Sequence, residues 1–345
     1  MPALRPVPNL AVAITLLALA TANLARATQI ETDYVEEPRL NAGRKGSVVL
    51  LSNVWARLAS LPAAPIRITP GRGPQFLFSD KPEYFRAGNG IALQEDVEPG
   101  IVRLYLYHVP DSGETPKVIT ALLENRGSHA LKLRLLRQAF PEPGGDYLRI
   151  GKAGLVGLFS SKPEKQARTV PAGGRVPVDP KLDRTTVSGQ QLVHGFYEFE
   201  IDQPARVTVL QRDPDQSSAE VVDRLPNLPR AEPGQASGAG RGQFAPSDLV
   251  VTNAPGTILD TASGVQWLVL ADGKADPWVR GRDGLAGGEE VVNDGNYGVM
   301  YRARLAWRST DGRGLALLIT KQGGPSKYCP AQSGAVLVGA GQWPG

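Results

Sequence analysis

Short runs of alternating apolar and polar residues, each closed by a turn sequence, recur along most of this chain and constrain its fold more than any other feature. The runs at 46–52 (GSVVLLS), 101–109 (IVRLYLYHV), 117–123, 130–137, 192–201, 205–211, 249–252, 265–270, 297–308 and 315–320 are rich in Val, Ile, Leu and Tyr. Alternation with period two puts successive side chains on opposite faces of an extended strand. Gly 39 and Pro 29 make up nearly a fifth of the 345 residues, which leaves room for many turns and few long helices. The pattern predicts a mainly β protein built as two β-sandwich domains, Ig-like or jelly-roll-like, with one short helix.

Three hairpins are expected. Residues 120–124 lead through Asn125-Arg126-Gly127-Ser128-His129 into a strand with Leu131, Leu133 and Leu135 on one face. Residues 197–201 turn at Asp202-Gln203-Pro204 into 206–210, and residues 301–308 turn through STDGRG into 315–320. Asn, Asp and Gly suit such turns because they tolerate positive φ or bond their own backbone. The one expected helix lies at 146–161 with Asp146 as its N-cap. Its glycines, Gly151, Gly154 and Gly157, each cost about 1 kcal/mol in a helix interior, so it requires close packing on a sheet.

The segment 212–244 is dense in Pro, Gly, Ala and Ser and predicts a mobile linker. It divides a first β-domain at 40–211 from a second at 245–345, which is short for a closed sandwich. The first 27 residues read as an export signal: Arg5 in a short n-region, an apolar run at 10–20, then Ala-Thr-Ala and Ala-Arg-Ala as cleavage sequences. An apolar run of that length falls short of the about 20 residues that cross a bilayer, and no second run follows, so no transmembrane segment is expected after cleavage. The expected location is secreted or extracytoplasmic, in the cell envelope. The formal charge of +4 loses Arg5 and Arg26 with the signal, and the near-neutral remainder argues against nucleic acid as a partner. Cys329 is the single cysteine, so an exported form has no internal disulfide.

Several phrases resemble an uncharacterised family of exported β-rich bacterial proteins, mainly from spore-forming Gram-positives. They are 146–152 (DYLRIGK), 195–201 (GFYEFEI), 241–244 (RGQF), Asp276-Pro277, 295–301 (GNYGVMY) and 317–324 (LLITKQGG). Members often carry a separate copper-amine-oxidase-like N-terminal stalk module, which is not evident in this sequence. The resemblance implies an envelope or extracellular role and supplies no catalytic residue.

The search for chemistry returns no G-x-S-x-G elbow, S-x-x-K, Walker A, G-x-G-x-x-G or H-E-x-x-H motif, so no catalytic residue is named. His108, His129 and His194 read as sheet and turn residues. The loop 271–296 gathers Asp272, Asp276, Asp283, Glu289, Glu290 and Asp294 among glycines. Calcium takes six to eight oxygens from such loops, which makes Asp272, Asp276 and Asp294 a candidate calcium site, but Asp-Gly turns account for the same composition and are the favoured reading. No other cofactor is expected. Arg302, Arg304 and Arg308 form a basic stripe opposite Tyr301, Ala303, Leu305 and Trp307. Guanidinium forks suit phosphate and carboxylate, so an anionic envelope polymer is a candidate partner, beside another surface protein; a solvated strand face is the plainer account. The sequence thus points to an exported, non-enzymatic binding or structural protein of the cell envelope. The alternative is a polysaccharide-directed enzyme using carboxylates of the 272–294 loop.

Overall fold

Alternating apolar side chains form a sheet only when each apolar face finds a cover, and this chain covers one large sheet on both sides. The computed structural model describes residues 61–315, apart from 111, 112, 114 and 231–237. The export signal, the strand expected at 46–52, the return strand at 315–320 beyond Leu315, and Cys329 lie outside the described residues. The strands are β1 (Ile66–Pro70), β2 (Gln75–Ser79), β3 (Tyr84–Phe85), β4 (Gly90–Val97), β5 (Gly100–Pro110), β6 (Val118–Asn125), β7 (Leu131–Ala139), β8 (Arg168–Val170), β9 (Arg175–Pro177), β10 (Val193–Ile201) and β11 (Ala205–Arg212). They continue as β12 (Arg241–Ala245), β13 (Asp248–Asn253), β14 (Leu259–Asp260), β15 (Arg280–Asp283), β16 (Glu289–Val292), β17 (Met300–Arg304) and β18 (Trp307–Arg308). The helices are α1 (Tyr147–Ser160), α2 (Pro180–Arg184) and α3 (Ser218–Val221). The protein is mainly β, as expected.

The central sheet has nine strands, running β16-β15-β12-β2-β5-β10-β7-β8 with β3 also paired to β5. A four-stranded sheet, β4-β11-β6-β9, covers one of its faces. Between them Leu77, Leu104, Leu106, Tyr197 and Phe199 meet Leu93, Ile119, Leu123, Val207 and Val209 in the larger core. On the other face Phe76, Phe78, Tyr105 and Phe196 pack with Leu158 of α1 and with Ile68, Leu249 and Tyr301 of a three-stranded sheet, β1-β13-β17. The result is a sandwich with a third layer, made by α1 and the small sheet.

Two expected hairpins are arches between sheets. β6 belongs to the four-stranded sheet and β7 to the nine-stranded one, and the same holds for β11 and β10. A hairpin would set Leu131, Leu133 and Leu135 on the same sheet face as Ile119, Ala121 and Leu123. Crossing between sheets buries one row against the other, and all six lie in the larger core. Asn125 builds the first crossing: its side-chain amide donates to His129 O at 2.7 Å and Val170 O at 2.9 Å.

The expected boundary at 212–244 does not part the sheets. β12, which begins inside that stretch, pairs with β2 in the nine-stranded sheet, and β13 pairs with β1. The stretch also holds α3 and packed apolar side chains: Leu228 joins the larger core, and its amide donates to Ile91 O at 2.9 Å. Val221, Val222, Leu225 and Leu228 supply the burial that the Pro and Gly content obscured. The expected strand at 265–270 is irregular, with Trp267 in an isolated bridge to Ala63.

The helix expected at 146–161 is α1, and the Asp146 carboxylate accepts from Arg149 N at 3.1 Å as its N-cap. Its glycines let it lie close on β7 and β10. A Cβ at Gly154 would sit 2.2 Å from the His194 ring, and one at Gly157 3.0 Å from Ala139 Cβ.

Candidate functional site

The small sheet presents one face to the core and the other to solvent, and the register decides which side chains share the outer face. Ile68 lies opposite Val251, and Val251 opposite Ala303; Leu249 lies opposite Tyr301. Leu249 and Val251 are buried, so this row faces inward. The alternate row faces outward: Arg67 opposite Thr252, Thr252 opposite Arg304, and Val250 between Thr69 and Arg302. Arg67, Arg302 and Arg304 are all exposed. Strands stand about 4.8 Å apart, so Arg67 and Arg304 spring from backbone positions about 10 Å apart with Thr252 between them. Arg67 was not visible as a partner of the stripe, because only the pairing of β1 with β13 brings it there.

Arg302 is anchored. Its Nε donates to Asp248 Oδ2 at 2.9 Å, and a second nitrogen lies 2.9 Å from the same oxygen. Asp248 is fully buried and its Oδ1 also lies 2.9 Å from Arg103 Nη1. Arg103, only 1% exposed, donates through Nε and Nη2 to Glu198 Oε1 at 2.9 and 2.7 Å. Glu198 Oε2 lies 3.6 Å from Arg137. Charges therefore alternate from Arg137 through Glu198, Arg103 and Asp248 to Arg302, joining the nine-stranded sheet to the small one.

Arg308 does not belong to the stripe. The strand expected over 301–308 breaks at Leu305 and Ala306, where Asn253 accepts from Ala306 N at 2.7 Å and donates to Ala306 O at 3.0 Å. The chain resumes as β18 against β14, and Arg308 Nε bonds Asp260 Oδ2 at 2.7 Å. The Asn253 side chain occupies the Ala306 backbone groups at the point where the strand that the alternation alone would have continued ends.

The three candidate calcium ligands are used separately. Asp272 Oδ1 accepts from Lys274 N at 3.0 Å and Asp276 N at 2.8 Å, which is turn chemistry, and these amides hold its carboxyl below the usual range although burial opposes them. Asp276, 3% exposed, accepts from Ala271 N at 2.6 Å and from the Tyr301 hydroxyl at 2.5 Å. Asp294 lies 3.9 Å from Lys81 Nζ instead. Among the described residues no three His, Cys, Asp or Glu side chains gather as a metal would require.

Two histidines are deep in the fold. His108 Nδ1 donates to Pro82 O at 2.8 Å, which leaves Nε2 to accept from the Ser79 hydroxyl at 2.8 Å. That is the geometry of a nucleophile and its base, but both side chains are wholly buried, so no substrate reaches them. Burial pushes His108 down to about 4, with the Pro82 carbonyl opposing. His194 donates from Nδ1 to Leu106 O at 2.9 Å and is likewise pushed down to about 4 by burial. His129 sits in the exposed crossing turn.

Beside β1 runs a groove of about 630 Å³ walled by Ile66, Ile68, Leu249, Trp267, Pro277 and Trp278. It offers apolar and aromatic surface, and Asp276 at its wall is already engaged by the loop and Tyr301. In comparisons with protein-family models, curated proteins and solved structures, nothing matches this chain.

Proposed function

We propose that the protein is an exported, non-enzymatic binding component of the cell envelope, and that the outer face of the β1-β13-β17 sheet docks an anionic polymer. The observation that carries this reading is the row Arg67, Thr252, Arg304, with Arg302 one pleat away. At the outward positions of these strands the one acid is Asp248, which is buried and already paired to Arg302 and Arg103. The guanidinium groups of Arg67 and Arg304 thus meet solvent without a carboxylate beside them in the sheet, and their planar forks match phosphate and carboxylate oxygens. Export rests on the leader-like first 27 residues. The enzymatic alternative has less support, because Asp272 and Asp276 spend their oxygens on backbone amides and Tyr301.

Soluble polyphosphate and poly-glutamate, titrated into the full chain, test the reading. The parent should bind at least one of them, and Arg67→Gln with Arg304→Gln should weaken that binding about tenfold, the equivalent of about 1.4 kcal/mol. Circular dichroism should show the fold unchanged. Equal affinity of parent and variant would contradict the assignment of this face.

A further inference from the structure

The small sheet runs β1-β13-β17, so among the described residues β1 meets a strand on one side only. The bonds at its two ends fix which backbone groups face the other way. Ala254 N donates to Pro65 O at 2.8 Å, and Gly71 N donates to Asp248 O at 2.8 Å. Hydrogen-bonded positions recur at every second residue of an antiparallel ladder, so Pro65, Arg67, Thr69 and Gly71 turn their backbone groups to β13. Ile66, Ile68 and Pro70 turn theirs to the open edge. Ile66 N is spent on Ala64 O at 2.8 Å, and Pro70 has no N–H. The edge therefore offers Ile66 O together with the N–H and O of Ile68.

The groove of about 630 Å³ lies along this same edge, with Ile66 and Ile68 in its lining. Trp267 begins to pair there: Ala64 N donates to Trp267 O at 2.7 Å, and Trp267 N donates to Pro62 O at 2.9 Å. That bridge is isolated, and beyond it Val269, Pro277 and Trp278 line the groove without pairing to β1. Trp278 is a fixed wall. Its Nε1 donates to Ala271 O at 3.1 Å, and its ring lies so close over Gly273 that a Cβ there would stand 2.7 Å from it. Open main-chain groups beside an apolar trough are the means by which a sheet edge takes up an extended peptide, the backbone giving affinity and the trough receiving alternate side chains.

Charge selects the peptide. Side chains opposite Ile66 and Ile68 would enter the groove, whereas a side chain opposite Arg67 would share its exposed face. Across the open edge Arg67 holds a non-hydrogen-bonded position, where facing side chains approach most closely, and an acid is the fitting neighbour. A second copy pairing antiparallel through this edge would set Arg67 against its own equivalent or an uncharged residue of β1. We propose that the open edge of β1 takes up an extended segment of a partner polypeptide as an added antiparallel strand, with apolar side chains in the groove and acidic ones beside Arg67. This ligand differs from the anionic polymer, and its site rests on the strand edge rather than on the pairing of Arg67 with Arg304.

An acetylated, amidated heptapeptide that alternates glutamate and valine, titrated into the full chain, tests this. Saturable binding is expected, and amide hydrogen exchange followed by NMR should slow at Ile68. N-methylation of two valines removes the donors aimed at Ile66 O and Ile68 O and should weaken binding about tenfold. The same methyl groups on the two inner glutamates keep those donors and the same charge, and should weaken binding far less. Trp278→Ala, with its circular dichroism unchanged, should also bind the peptide more weakly. Absence of saturable binding, exchange at Ile68 indifferent to the peptide, equal loss from the two methylations, or undiminished binding by Trp278→Ala would each overturn the proposal. An Ile68 amide already protected in the free protein would put a second copy or the chain itself on this edge, and would overturn it too.

Discussion

Single side chains in this protein are held by burial that leaves little tolerance. Gly154 is the sharpest case. Alanine is the better helix former by about 1 kcal/mol, yet its Cβ would stand 2.2 Å from His194 Cδ2 and Nε2. Overpacking of that kind costs about 1–3 kcal/mol, so Gly154→Ala should lower the urea midpoint. An unchanged or raised midpoint would mean that α1 does not lie against His194. Glu95 carries a pH dependence. Its Oε1 accepts from Gly284 N at 2.7 Å, and burial, helped by repulsion from Asp283 and Asp96, pushes it up to about 7 from 4.5. The folded protein therefore holds the Glu95 proton more tightly than the unfolded chain does. That contribution is full below the unfolded value of 4.5 and is lost as pH rises through about 7. Melting temperature should fall across this window, and Glu95→Gln, which keeps an acceptor for Gly284, should flatten the fall. A variant with the parent's slope would contradict this.

At the scale of elements, alternation and turn chemistry announce β5, β6, β7, β10, β11 and β13 because period two is a local property. They do not announce partners. The residues Asn125 to His129 have the composition of a hairpin turn, yet Asn125 bonds Val170, 45 residues away, and the chain crosses to the other sheet. The basic stripe was half legible for the same reason. Arg302 and Arg304 share a face by alternation, whereas Arg67 reaches them only through β13, and Arg308 is lost to a strand break where Asn253 bonds Ala306. The contact between layers is testable through Arg103, which bridges Glu198 on β10 and Asp248 on β13. Arg103→Met takes from two buried carboxylates the partner they share, leaving Asp248 to Arg302 and Glu198 to Arg137, and should cost up to about 3–5 kcal/mol in chemical unfolding. Adding Glu198→Gln and Asp248→Asn to that variant should recover part of the loss, because the buried charges go with the arginine. A single variant as stable as the parent would mean the two sheets do not meet through this residue.

Among the described residues a nine-stranded sheet is covered on both faces, and one of the covering layers is the small sheet that carries the arginines. β12, which begins within the Pro- and Gly-rich stretch, and β15 and β16 beyond it complete the large sheet, and β1 reaches forward to β13, so segments on both sides of 212–244 build the same layers. The outer face of the small sheet exists only because of that interleaving. Its proposed role rests on exposed charge, which ionic strength screens over about 10 Å at 0.1 M salt. The most direct test is the salt dependence of polyphosphate binding by the parent and by the Arg67→Gln, Arg304→Gln variant. The account predicts a steep loss of parent affinity with added salt and a distinctly shallower slope for the variant. Parallel slopes, or parent binding indifferent to salt, would contradict it.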